Sequence, residues 1–119
     1  MPHGTGSTDH DAALSAMVAD IRVRFQDRLV GYVLDIEDCK RQLELPERRG
    51  AAVARIADIA HSISGIAGSV GYADLGRTAA SVDAAFHSPK IAASSDPPSA
   101  AAMDALERLL DLMEQKIDD

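Results

Sequence analysis

Residues 61–71, which read HSISGIAGSVG, decide how the rest of the chain is arranged. If this stretch continues a helix that includes residue 53, the advance of about 100° per residue places its apolar side chains on one stripe. Such a three-four spacing is typical of a helix face that is buried against other helices. The members of the stripe are Val53, Ile56, Ala60, Ile63, Ala67 and Val70.

His61 lies on the opposite side of this helix, about 160° from the centre of the apolar stripe. Its neighbours on the outer face are small, and each helical glycine costs about 1 kcal/mol relative to alanine. The presence of glycines despite this cost favours the interpretation that another protein must reach the imidazole. The alternative interpretation is a solvated surface histidine beside glycines that serve close helix packing. The small neighbours are Ala54, Ala57, Gly65 and Gly68.

A long apolar repeat predicts the helix that precedes this segment. Residues 1–8 are predicted to be a disordered tail, so that the domain comprises residues 9–119. Val30, Val33 and Leu34 widen the apolar surface of the helix, either as further core contacts or as an exposed docking strip. The repeat consists of Leu14, Met17, Ile21, Phe25, Leu29, Tyr32, Ile36, Cys39 and Leu43.

Pro46 ends the first helix, because the residue before a proline is driven out of helical geometry. The connection is short, so the next helix runs antiparallel to the first. This pairing brings Arg28 near the level of His61. The helix that carries His61 is predicted to end at about Gly71 in left-handed geometry.

A third helix is predicted from residue 72 or 73 to His87, where the imidazole is interpreted as complementing the helix dipole. Residues 88–98 form a predicted loop. Asp96 or Ser99 caps the last helix, in which apolar residues repeat from Met103 to Ile117. No strand alternation is present. The predicted fold is all-α, an up-down antiparallel four-helix bundle that allows a short extra N-terminal helix.

Length and composition bound the class of protein. A chain of 119 residues forms one domain with a single core. The net charge of −7 disfavours a nucleic-acid partner, and no apolar run approaches the ~20 residues of a membrane span. The N-terminus lacks the apolar segment of a signal peptide, and the single cysteine, Cys39, fits a reducing compartment. We expect a cytoplasmic monomer with no metal site and no membrane contact.

The segment resembles the motif of histidine-containing phosphotransfer (HPt) domains. That motif is a histidine, two residues of any type, a lysine, a glycine, and a second glycine six positions later. His61, Gly65 and Gly71 match it, whereas Ser64 stands where the family has lysine. The resemblance extends from about Leu14 to the end of the chain.

The resemblance implies a phosphocarrier and not an autonomous enzyme. His61 would be the phosphoacceptor, and magnesium would lie on the partner receiver domain, with no cofactor on this chain. In the family the lysine assists the phosphate chemistry. With Ser64 in its place, Arg28 is the first candidate to supply the missing charge, followed by Arg24 and Arg77. The implied partners are response-regulator receiver domains and a histidine kinase, in a free-standing two-component phosphorelay intermediate.

Four residues around His61 are predicted to contact the partner: Ala57, Asp58, Gly65 and Gly68. Two other functions stay open. One is a receiver- or kinase-docking helical adaptor of the same fold with little or no phosphotransfer, which Ser64 motivates. The other is a structural helical adaptor in which His61 is incidental.

Overall fold

A computed structural model of the chain describes residues 2–88, 91 and 96–118, with the backbone alone for residues 2–9. The elements formed by these residues are helical, and the predicted all-α fold class is confirmed. They are α1 (Pro2–Gln42), α2 (Pro46–Ala67), a 3-10 turn (Gly68–Val70), α3 (Ala73–Phe86) and α4 (Ala100–Ile117).

One core receives side chains from all four helices. α2 supplies the predicted stripe and is also buried at Ala52, Ala57 and Ile59, because α1 and α3 cover its two flanks. Cys39 is buried as predicted, and burial raises the pKa of its thiol. The largest fully buried side chains are Leu29, Ile36, Ile56, Ile59, Ile63, Val70, Leu75, Val82, Phe86, Leu106, Leu109 and Met113.

Polar contacts fix the relative direction of α1 and α2. Arg55 of α2 pairs with Asp35 of α1 at 2.7 Å. In the 3-10 turn that follows α2, the carbonyl oxygen of Val70 accepts hydrogen bonds from Nε and Nη2 of Arg22, at 3.0 and 2.8 Å. The contacts occur in opposite order along the two segments, so α1 and α2 are antiparallel.

Polar contacts also fix the relative direction of α1 and α4. Gln26 donates a hydrogen bond to the carbonyl oxygen of Lys116 at 2.8 Å. Lys40 lies 2.5 Å from a carboxylate oxygen of Glu107. The later residue of α1 contacts the earlier residue of α4, so these two helices are also antiparallel.

Gly71 ends the second helical segment as predicted. Its φ is 89°, in the left-handed region that glycine adopts without steric cost. A Cβ at this position would lie 3.1 Å from Nη2 of Arg22. The amide of Tyr72 donates to the carbonyl oxygen of Ala67 at 2.8 Å and closes the turn. This turn returns α3 alongside α2.

The other predicted boundaries fall close to the observed ones. Pro46 is the first residue of α2, and Leu45 before it is extended, with φ −104° and ψ 110°. Ser99, and not Asp96, caps α4: its hydroxyl oxygen accepts from the amide of Ala102 at 3.1 Å. Most of the predicted loop at residues 88–98 lies outside the described residues.

The N-terminal half of α1 projects beyond the bundle, and with it the molecule measures 68 × 23 × 19 Å. Among the described side chains, burial in α1 begins at Phe25. The apolar residues of α1 before Phe25 are exposed, although Leu14, Met17 and Ile21 among them continue the apolar repeat that predicted this helix. They are Leu14, Met17, Val18, Ile21 and Val23, all more than two-fifths exposed.

Two further details of α1 differ from the expected pattern. The backbone is helical from Pro2, within the stretch predicted to be a tail, while the domain boundary at residue 9 stays a prediction. Val33 packs against the core, whereas Val30 and Leu34 are exposed. Of the three residues that widen the apolar surface, Val33 therefore contacts the core, whereas Val30 and Leu34 face solvent.

Candidate functional site

The side chain of His61 is 76% exposed on the outer face of α2. Gly65 and Gly68 lie one and two turns further along, and a Cβ at either position would meet open space within 4 Å. The predicted outward direction of the imidazole is confirmed. Neither glycine is required for helix packing.

Asp83 of α3 connects His61 to a second histidine. Nδ1 of His61 lies 3.0 Å from Oδ2 of Asp83. Oδ1 of the same carboxylate is hydrogen-bonded to Nδ1 of His87, one turn later on α3. The Asp83 side chain is only 20% exposed, so both oxygens are held between the two rings.

The protonation state of Asp83 determines which nitrogen of His61 is free. Burial raises the pKa of the Asp83 carboxyl, but the hydrogen bonds and charges of His61 and His87 outweigh burial and lower this pKa below its usual value. A carboxylate only accepts hydrogen bonds, so Nδ1 of each ring donates. Neutral His61 therefore carries its proton on Nδ1 and exposes the lone pair of Nε2.

The register of α2 and α3 brings these residues together. His61 lies 11 residues before Tyr72 and Asp83 lies 11 residues after it. Gly76 permits a close approach of the helices, since a Cβ there would lie 3.6 Å from Cβ of Ala67. Equal spacing about the predicted turn was a signal in the sequence that could have identified Asp83.

His87 has a further contact beside its predicted role at the helix end. It is the C-cap residue of α3, and its amide donates to the carbonyl oxygen of Asp83. Its imidazole, however, binds the Asp83 carboxylate. The sequence interpretation gave His87 a dipole role alone and did not connect it to His61.

Ser64 does not direct its hydroxyl toward the imidazole of His61. Its Oγ donates to the carbonyl oxygen of His61 at 2.9 Å, a bond within α2. Arg28 is exposed and lines a groove with Ile66, on the α1 side of α2. Arg24 lines the same groove and pairs with Asp20 at 2.9 Å. No described hydrogen bond joins Arg28 to His61, whose polar contact is on the α3 side.

Three of the four predicted docking residues lie at the surface. Asp58, Gly65 and Gly68 are exposed. Ala57 is fully buried, so its assignment to the docking surface is wrong. Ala57 lies as many residues before Tyr72 as His87 lies after it. The same register of α2 and α3 that brings Asp83 to His61 therefore places α3 over Ala57.

A cavity of about 250 Å³ adjoins the site. Its lining includes Asp58 and Ala54 from α2, and Phe86 and His87 from the end of α3. In the described part of the chain, no three side chains of histidine, cysteine, aspartate or glutamate are grouped so as to hold a metal ion. None of the described helices is long and apolar enough to cross a membrane.

A family model of the Hpt domain matches residues 28–116. The chain belongs to the Hpt domain family. Hpt domains perform histidine phosphotransfer in phosphorelays and interact with receiver domains and kinases of two-component systems. The search of curated proteins and the search of solved structures gave no match to this Hpt domain. The matched range begins after the projecting part of α1 and includes His61 and its contacts.

Proposed function

We propose that this Hpt domain is a free-standing phosphorelay intermediate that carries a phosphoryl group on Nε2 of His61 between receiver-domain aspartates. The observation that carries the proposal is the hydrogen bond from Nδ1 of His61 to Asp83 on an otherwise exposed ring. It leaves one nitrogen nucleophilic and accessible to a protein partner.

The transfer step requires little chemistry from the bundle itself. Nε2 attacks the phosphorus of an aspartyl phosphate, so that an N–P bond forms as the acyl P–O bond breaks and the receiver carboxylate leaves. Positive charge develops on the imidazole ring, and the carboxylate of Asp83 at Nδ1 stabilises it. The receiver domain supplies magnesium. The rigid α2 and α3 supply the orientation of the ring.

The surface on which a receiver would dock includes Asp58, Gly65 and Gly68. The glycines leave room at the two turns beyond His61, where larger side chains would meet the partner first. The exposed carboxylate of Asp58, three residues before His61, is available to a donor on the partner.

Ser64 favours a second candidate function, a docking adaptor with little phosphotransfer. The family lysine would place a positive charge near the phosphoryl oxygens, and charge-assisted hydrogen bonds are roughly twice as strong as neutral ones. The Ser64 hydroxyl is engaged by the backbone of its own helix. Compensation by Arg28 stays a prediction, for which the partner would need to reach the groove beside Ile66.

The test is acceptance of phosphate from receiver domains that carry a ³²P-labelled aspartyl phosphate. We expect the label to move to this chain, to be labile in acid and stable in base, and to disappear in His61→Gln. His10→Gln, on the exposed part of α1, is the matched control and should accept normally. Label that persists in His61→Gln would exclude His61 as the acceptor. Receiver binding without any label would select the adaptor.

A further inference from the structure

The Asp83 carboxylate is shared by two imidazoles from different helices. Oδ2 accepts from His61 of α2, and Oδ1 accepts from His87 of α3. The carboxylate is the least exposed of the three groups, at 20% against 76% for the His61 side chain and 55% for that of His87. Asp83, the partly buried member of the cluster, thus contacts the exposed ring of His61 through one oxygen and the ring of His87 through the other.

A carboxylate with one hydrogen bond keeps much of its rotational freedom, because the last torsion of an aspartate side chain is broad. A bond to each oxygen fixes the plane of the group. His87 and Asp83 are four residues apart on one helix, where side chains lie on the same face. The bond from His87, the C-cap residue, is therefore made locally at the end of α3, and it directs the other oxygen toward α2.

The other charged groups near His87 lie along the cavity that it shares with α2. They are Arg49 and Asp58 on α2 and Asp96 beyond α3. The hydrogen bond of the His87 ring is made from Nδ1 to Asp83. This contact, and not the cavity, links His87 to the phosphoacceptor.

We propose that His87 is a positioning residue for phosphotransfer: by holding Asp83, it maintains the Nδ1-protonated tautomer and the ring orientation that present Nε2 of His61. The proposal rests on the proposed function, and it assigns a role to a residue that does not touch the phosphoryl group. A change at His87 alters His61 through the carboxylate between them. Loss of the bond lets Asp83 turn away, so that Nδ1 of His61 loses its acceptor.

The experiment compares His87→Ala with His87→Asn in the full chain. The amide nitrogen of asparagine occupies nearly the position of Nδ1 of histidine, so His87→Asn keeps a donor for Asp83. The tautomer of His61 is read from its side-chain ¹⁵N shifts without any receiver, at a pH where the ring is neutral. The transfer rate is then measured from a receiver domain charged with acetyl phosphate. His10→Asn is the control for replacing a histidine elsewhere.

We expect His87→Ala to reduce the Nδ1-protonated fraction of His61 and to lower the transfer rate by about tenfold, which is the lower end of the value of one charge-assisted bond. His87→Asn should return both toward the native values, with backbone amide spectra unchanged in all variants. A native tautomer population in His87→Ala, or no rescue by asparagine, would overturn the proposal. Failure of the native chain to accept phosphate would count against the proposed function alone, since the tautomer is measured without a receiver.

Discussion

Asp83 gives His61 two properties that a phosphoacceptor needs. It fixes the proton on Nδ1, so the lone pair on Nε2 faces solvent, and in the proposed transfer it would provide a negative charge beside the ring as the N–P bond forms. The low pKa of the Asp83 carboxyl keeps it able to accept at neutral pH. The departure at Ser64 therefore leaves the contact between His61 and Asp83 intact, and in the proposed transfer it would affect only the charge near the phosphoryl group.

Gly65→Leu tests whether the space beside His61 serves access. Leucine is the better helix former by about 1 kcal/mol, and a Cβ at Gly65 meets nothing within 4 Å. We expect Tm to stay level or rise by a few degrees, while transfer from a receiver falls by about tenfold or more as docking is blocked. Gly50→Leu, also open in α2 but three turns away from His61, is the matched control. Equal transfer by both variants would show that the space is not part of the docking surface.

The sequence identified the residues whose role depends on one helix alone. The outward direction of His61 and the open surface at Gly65 follow from angular position on α2. Asp83 and the burial of Ala57 depend on the register between α2 and α3, which periodicity within a helix does not contain. A register centred on Tyr72 accounts for the contact of Asp83 with His61, because it pairs residue 61 with residue 83. It also accounts for the burial of Ala57, because it pairs residue 57 with residue 87.

At the scale of elements, α1 behaves as two parts. From Arg22 onward it contacts the bundle, through hydrogen bonds to Val70 and burial from Phe25. Before Arg22 the same apolar repeat continues without a covering helix. The repeat predicted the helix correctly but not where packing ends, since an amphipathic pattern carries no information on the length of the neighbouring helices.

The exposed part of α1 should contribute little to stability. We expect the combined substitution Leu14→Gln, Met17→Gln and Val18→Gln to change Tm by no more than about 2 °C, as exposed positions make few contacts. Phe25→Ala, at a side chain only 3% exposed, should cost about 3–5 kcal/mol. Thermal unfolding measures Tm and urea unfolding measures the free energy of unfolding, both followed by circular dichroism. A loss above about 2 kcal/mol in the triple variant would mean that these residues are buried in solution.

At the scale of the whole molecule, two aspartates join α3 to the other helices. Asp83 contacts His61 of α2, and Asp74 lies 3.2 Å from Lys116 of α4. The pKa of Asp74 is lowered by the amide of Leu75 first and by Lys116 second. The fold class itself was predictable, because four apolar repeats separated by proline and glycine signals leave few arrangements.

Acid should weaken these two links together. Both folded-state pKa values lie below the unfolded value of about 3.9, so the stabilisation is complete above about pH 4 and is lost as the pH falls through the folded pKa values. We expect Asp74→Asn with Asp83→Asn to show a shallower fall in the free energy of unfolding below about pH 4 than the native chain. Asp111→Asn, on the exposed face of α4, is the control. A native-like slope in the double variant would contradict this account.

The ring nitrogen that carries the phosphoryl group reveals whether Asp83 directs phosphorylation to Nε2 of His61. The chain is labelled with ¹⁵N-histidine, phosphorylated by a charged receiver domain, and observed by ³¹P–¹⁵N correlation. Because Asp83 holds the proton on Nδ1, the account predicts coupling of phosphorus to Nε2 of His61. Coupling to Nδ1, or to a nitrogen of His87, would contradict it.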